Sequence, residues 1–169
     1  MFRLRIVLDA RYPAIIEETR RAMAAVMPAS HVGLQTRTAV DATGAEYPSC
    51  VEVYSYSRAW PCLFPQHGAG KKHERPIELA GWQEALVVRH PKLLLRGLIH
   101  SDGCRAINTG SGGWVNPRYL FTNVSDDIRS IFCDACDRLG LRWTEAPRTV
   151  YVSRKADVAR MHEFVGPKA

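Results

Sequence analysis

The sequence predicts an α+β fold made of two halves that repeat one another. Several short stretches alternate apolar and polar residues, the period of a half-buried strand. Others space apolar residues three and four apart, the period of a helix with one buried face. The order strand, helix, two strands, helix then occurs twice, before and after a leucine-rich segment at Leu93 to Gly103. A repeat of this length is too long for a solenoid unit. It suits two halves related by a pseudo-dyad, each carrying one antiparallel sheet.

In the first half, Phe2, Leu4, Ile6 and Leu8 alternate with Arg3, Arg5 and Val7, a strand with arginines on its open face. Pro13 opens a helix with Ile15, Ile16, Thr19, Met23 and Val26 on one side, and Pro28 closes it. Val32 and Leu34, against Gly33, Gln35 and Arg37, predict a second strand. Asp41 to Pro48 is turn-rich, and Val51 and Val53 belong to a returning strand. Ser57 to Phe64 is expected to be a short helix interrupted by Pro61. A basic linker from Pro65 to Pro76 follows. Its Gly70-Lys71 is no phosphate loop, because Pro65 stands where the first glycine belongs and Lys72 where Ser or Thr belongs. Trp82 to His90 predicts a short helix.

Pro91 suits the first turn of the leucine-rich helix and Gly103 the position just past its end. Gly97 and Ser101 lie one turn apart, so two small residues share a face that a second helix can approach closely. Asp102 falls at the helix C-terminus, where a carboxylate is disfavoured unless a cation or a proton stabilises it. Cys104 to Asn108 predicts a strand, Thr109 to Gly113 a flexible turn, and Arg118 to Asn123 the returning strand. Ser125 or Asp126 caps a helix that buries Ile128, Ile131, Phe132, Ala135 and Leu139, and Gly140 stops it. Arg142 to Glu145 and Val150 to Ser153 predict a hairpin around Ala146-Pro147. A final helix turns Val158, Met161 and Phe164 or Val165 inward.

With 169 residues the chain has the size of one domain, and the repeat divides it into 1–64, a linker with a short helix over 65–90, and 91–169. Lys and Arg number 23 against 17 Asp and Glu, a net +6 that favours a polyanionic partner. No apolar run approaches a membrane span and no signal-peptide pattern opens the chain, so a cytoplasmic protein is expected. The 5 cysteines, an odd number, do not make a disulfide framework. Cys133 and Cys136 have no second such pair to complete a zinc site and are expected to pack in the core.

Leu95-Arg96-Gly97-Leu98-Ile99-His100-Ser101-Asp102-Gly103 resembles the motif of the LAGLIDADG homing endonuclease family. It keeps the glycine, the apolar pair after it and the closing Asp-Gly. His100 replaces the motif's first aspartate. The resemblance implies two αββαββα repeats whose antiparallel sheets form a saddle over DNA. Measured against that pattern, the first half starts at its second strand. This implies an N-terminally shortened member, one that pairs with a second polypeptide, or one that has lost cleavage.

The resemblance also implies a site. Asp102, with the Gly103 carbonyl, would hold Mg2+ or another divalent cation for phosphodiester hydrolysis, the other acid coming from the absent helix. Arg154 or Lys155 matches the place of a basic group near the attacking water, with Lys155 the catalytic candidate, and Arg58 holds the equivalent place in the first half. Strands in the major groove read bases with their outward side chains. The alternation gives that outward set as Arg3, Arg5, Gln35, Arg37, Asn108, Arg118, Thr122 and Arg142. Arg3 and Arg5 belong to no apolar face and are expected to be replaceable without loss of the fold. His100 is either a satisfied polar residue at the helix interface or a titrating neighbour of Asp102.

The first reading is a sequence-specific, metal-dependent endonuclease acting on double-stranded DNA. One alternative is a non-cleaving DNA-binding or regulatory derivative of the same fold. Another is an RNA maturase-like splicing cofactor. The Gly97 and Ser101 face is also expected to support self-association, bringing two copies of Asp102 together around a cation.

Overall fold

The computed structural model describes residues 1–71, 74–109, 112–113 and 115–168. Lys72 and His73 of the basic linker, and Gly110 and Ser111 of the glycine-rich turn, lie outside the described residues. The fold is α+β, with two antiparallel sheets and six helices among the described residues. The chain divides into two compact units, Met1–His67 with the last residues and Gly68–Pro167, so the division falls inside the basic linker.

The first unit runs β1 (Phe2–Asp9), α1 (Pro13–Val26), β2 (Val32–Val40), β3 (Glu46–Ser57) and α2 (Trp60–Leu63). Its strands lie in the order β1-β3-β2. Leu4, Ile6 and Leu8 pack with Val51, Val53 and Val32 against Ile16, Met23 and Trp60. The alternation in β1 thus separates a covered face from an open one. Val26, the last residue of α1, is exposed, and the buried residues of this helix are Ile15, Ile16 and Met23. β3 is longer than its apolar core suggests. It starts at Glu46 and absorbs Pro48 beside a register shift between Arg37 and Thr38, where an irregular ladder tolerates a residue without an N–H. Pro61 does not interrupt α2. It occupies the first turn, where its missing donor costs nothing.

The second unit runs α3 (Gly81–Arg89), α4 (Pro91–Asp102), β4 (Gly103–Thr109), β5 (Val115–Thr122), α5 (Asp126–Arg138), β6 (Thr144–Ala146), β7 (Thr149–Val152) and α6 (Lys155–Val165). Its strand order is β4-β5-β7-β6. From β5 onward this is the first unit's plan again: strand, helix, two strands, helix, with the third strand lying between the other two. Leu95 and Ile99 of α4 pack on Tyr119, Phe121, Val150 and Val152, with Phe132 and Met161 from α5 and α6. Phe121 and Phe132 stack at 4.7 Å between centroids. Cys133 and Cys136 take the expected core positions on α5, with Ile128 and Leu139 packed half-buried against the same cluster.

Local signals set the ends of these elements. The Ser125 hydroxyl accepts from the Ile128 amide at 3.4 Å and caps α5. Gly140, at φ 62°, ends the turn beyond it. Arg160 donates to the Leu139 and Gly140 carbonyls, satisfying acceptors left at the end of α5. Gly103 works differently from a left-handed helix stop: its φ is −110°. A β-carbon there would lie 2.7 Å from Ile99 Cδ1 and 2.7 Å from the Leu120 carbonyl, so glycine allows α4 to run directly into β4. Among the described residues no helix is long and apolar enough to cross a membrane.

Candidate nucleic-acid interface

In the first sheet the ladder sets Arg3 opposite Tyr56, Arg5 opposite Tyr54, and Gln35 opposite Glu52. Side chains alternate between faces, so Arg3, Arg5, Gln35, Arg37, Glu52, Tyr54 and Tyr56 all belong to the open face. Glu52 is nevertheless only 1% exposed. Its carboxylate accepts from Arg3 at 3.0 Å, from Arg5 at 3.5 Å and from Arg37. The three arginines cover it. Arg3 also stacks its guanidinium over Tyr54, 4.8 Å from the ring centroid. Tyr54 in turn lies over Gly33, where a β-carbon would come within 2.5 Å of the ring. Glycine at this point of β2 lets the ring lie flat against the strand.

This assembly corrects one expectation. Arg3 and Arg5 are absent from the apolar core, but they are not neutral to the fold, because they compensate a buried carboxylate.

In the second sheet Asn108 faces Asn116, Ala106 faces Arg118, and Thr122 faces Thr149. Tyr119 and Phe121 fill the core between them, so Asn108, Arg118 and Thr122 share the opposite face with Tyr151. Arg118 stacks over Tyr151, 4.8 Å from its centroid. Thr122 and Thr149 join hydroxyls at 3.1 Å. Matching Val51-Glu52-Val53 to Val150-Tyr151-Val152 makes Arg5 and Arg118 equivalent in the two ladders, since Arg5 lies one alternation from Val7, opposite Glu52, and Arg118 one from Leu120, opposite Tyr151.

Arg142 departs from the expected set. β6 begins only at Thr144, and Arg142 lies in the preceding coil, its amide donating to the buried Asp157 carboxylate at 3.1 Å. That bond draws the chain toward α6 instead of extending the ladder.

Asp102 ends α4, exposed, and Gly103 starts β4 beside it. The Asn123 side-chain amide donates to Asp102 at 3.3 Å, a neutral hydrogen bond to the carboxylate at the end of the helix. Asn123 is itself held by its neighbours. Its side-chain oxygen accepts from the Ser125 amide at 2.9 Å, its carbonyl accepts from Arg129 at 2.7 Å, and its amide donates to the Arg148 carbonyl at 3.0 Å.

Lys155 does not come to this end of the sheet. β7 runs in the same sense as β4, and Ser153 beyond it is bonded to Asn116, which faces Asn108. Asn108 is six residues along β4 from Asp102, roughly 20 Å at strand rise. Two basic residues lie beside Asp102's partner: Arg129, whose guanidinium donates to the Asn123 carbonyl, and Arg148, whose backbone carbonyl accepts from the Asn123 amide at the tip of the β6–β7 hairpin, with φ 66°. Asn123 and Arg148 were both missed in the sequence. The only available signal was the position of Asn123 at the end of a strand, just before a helix cap. Arg58 follows β3 in the first unit and lines an open cavity of about 500 Å³ with His31, Tyr54 and Tyr56.

His100 is buried on α4, while the Gly97 and Ser101 face is exposed, with nothing within 4 Å of a β-carbon at Gly97. Ser101 bonds its hydroxyl back to the Leu98 carbonyl at 3.0 Å. Among the described residues no three His, Cys, Asp or Glu side chains gather as a metal site. Compared with known proteins, the chain matches no family model and no curated sequence.

Proposed function

We propose that this chain binds double-stranded DNA through the open faces of its two sheets, as a protein of the homing-endonuclease fold. The observation that carries the reading is the same on both sheets: an arginine stacked on a tyrosine of the adjoining strand or its neighbour, on the face that the core leaves free. Arginine donates in a planar fork to guanine edges and to phosphates, and a stacked guanidinium keeps that fork oriented. Gln35, Asn108 and Thr122 add side chains suited to base edges and backbone. The strand order repeated between the units supports the fold, as does a motif helix running straight into β4.

Cleavage is a second reading, favoured by Asp102 alone, which is held at the helix end by Asn123. Magnesium is commonly bound by one or two carboxylates together with substrate phosphates. A nuclease built on Asp102 needs further ligands for the metal beside that carboxylate. The test is equilibrium binding to duplex DNA, single-stranded DNA and structured RNA at low salt, with magnesium-dependent nicking followed for the wild type and Asp102→Asn. Preference for the duplex, undiminished in Asp102→Asn, supports the proposal. Failure to bind any duplex sinks it, preference for RNA replaces it with the splicing reading, and nicking abolished by Asp102→Asn adds the nuclease.

A further inference from the structure

Glu52 is the feature of the basic face that a simple electrostatic surface does not require. A face that only attracts polyanions gains nothing from a carboxylate, and burying one is costly unless it is fully paired. Here the side chain is 2% exposed, while Arg3, Arg5 and Arg37 remain 35%, 51% and 55% exposed. The ladder explains how one residue reaches all three. Glu52 shares a rung with Val7 and Gln35, Arg5 and Arg3 lie on successive rungs to one side, and Arg37 lies on the next rung of that face to the other side. Each guanidinium carries five N–H donors, and each spends few of them on Glu52, leaving the rest toward solvent.

We propose that Glu52 is a positioning residue. It holds Arg3, Arg5 and Arg37 as an ordered guanidinium array that discriminates among DNA sequences. The inference rests on the DNA-binding reading above. Arginine side chains that are already ordered lose less freedom on binding, and their fixed forks match base edges better than mobile ones. The array keeps a net charge of +2 from three arginines and one glutamate, so attraction to phosphate survives the pairing.

The sign of one substitution separates positioning from bulk charge. Glu52→Gln preserves shape and removes a negative charge from a basic face. Wild type and variant are each used to select duplexes from a randomised pool, and both are titrated with the selected and with unselected DNA. The expected result is that the variant binds unselected duplex at least as tightly as the wild type, while its preference for the selected sequence falls by about tenfold or more. An unchanged preference, or a wild type that binds duplex but selects no sequence, overturns the inference and leaves DNA binding standing. A wild type that binds no duplex removes both. Nitrogen-detected NMR of the free wild type supplies a measurement that needs no variant. Restricted guanidinium rotation is expected for Arg3, Arg5 and Arg37, and freely averaged signals overturn the inference.

Discussion

Arg3 donates to Glu52 at 3.0 Å on the open face of the first sheet, where the glutamate is almost wholly covered and the arginine is not. Replacing Arg3 and Arg5 together with alanine leaves the carboxylate with Arg37 and should cost about 1–3 kcal/mol, the range for a buried polar group that loses partners. Adding Glu52→Gln should recover most of that stability and only part of the duplex affinity. Chemical denaturation of the double and triple variants, each followed by duplex titration, checks both halves of the expectation.

Two glycines of the motif segment should respond in opposite ways. At Gly103 an added β-carbon meets Ile99 and the Leu120 carbonyl, so Gly103→Ala forces α4 away from the sheet and should destabilise by about 1–3 kcal/mol. At Gly97 the space is open and the residue lies within a helix, so Gly97→Ala should stabilise by about 1 kcal/mol. Thermal melts of the two variants decide. Equal destabilisation would mean that the exposed face of α4 is covered in solution, and sedimentation would then identify self-association.

Burial in the apolar core pushes the Cys133 thiol up to about 11 and raises Cys136 as well. The fold favours the neutral thiols. Their contribution to stability is therefore complete below the ordinary thiol range and is lost as pH rises from about 9 toward about 11. In the native protein at mildly alkaline pH, the exposed Cys62 and Cys104 should react rapidly with a thiol reagent, and Cys133 and Cys136 only on unfolding. Rapid labelling of all of them in the folded chain would place α5 wrongly in the core.

What the sequence revealed depended on how local each signal was. The alternation of Leu4, Ile6 and Leu8 with Arg3 and Arg5 placed β1 and its faces, because a strand's period lies within one stretch of chain. The Ser125 cap and the Gly140 stop were readable for the same reason. Glu52 was not. Between Val51 and Val53 it occupies an open-face position in the alternation, and its burial comes from arginines on two other strands. The separation of Lys155 from Asp102 was also invisible, since it follows from ladder register and strand direction and not from order along the chain. Arg142 was assigned to a strand by its neighbours' pattern, while a distant carboxylate, Asp157, fixes its backbone elsewhere.

The most direct measurement is the affinity of the wild-type chain for a duplex as a function of salt. Neutralising phosphates releases counterions, so the logarithm of the binding constant should fall linearly with the logarithm of salt concentration. Each phosphate contact made by Arg3, Arg5, Arg37 or Arg118 contributes about −0.9 to the slope. Arg5→Ala combined with Arg118→Ala should reduce its magnitude by about 1.8. A slope near zero in the wild type, or one left unchanged by that pair of substitutions, would contradict DNA binding through the open faces of these sheets.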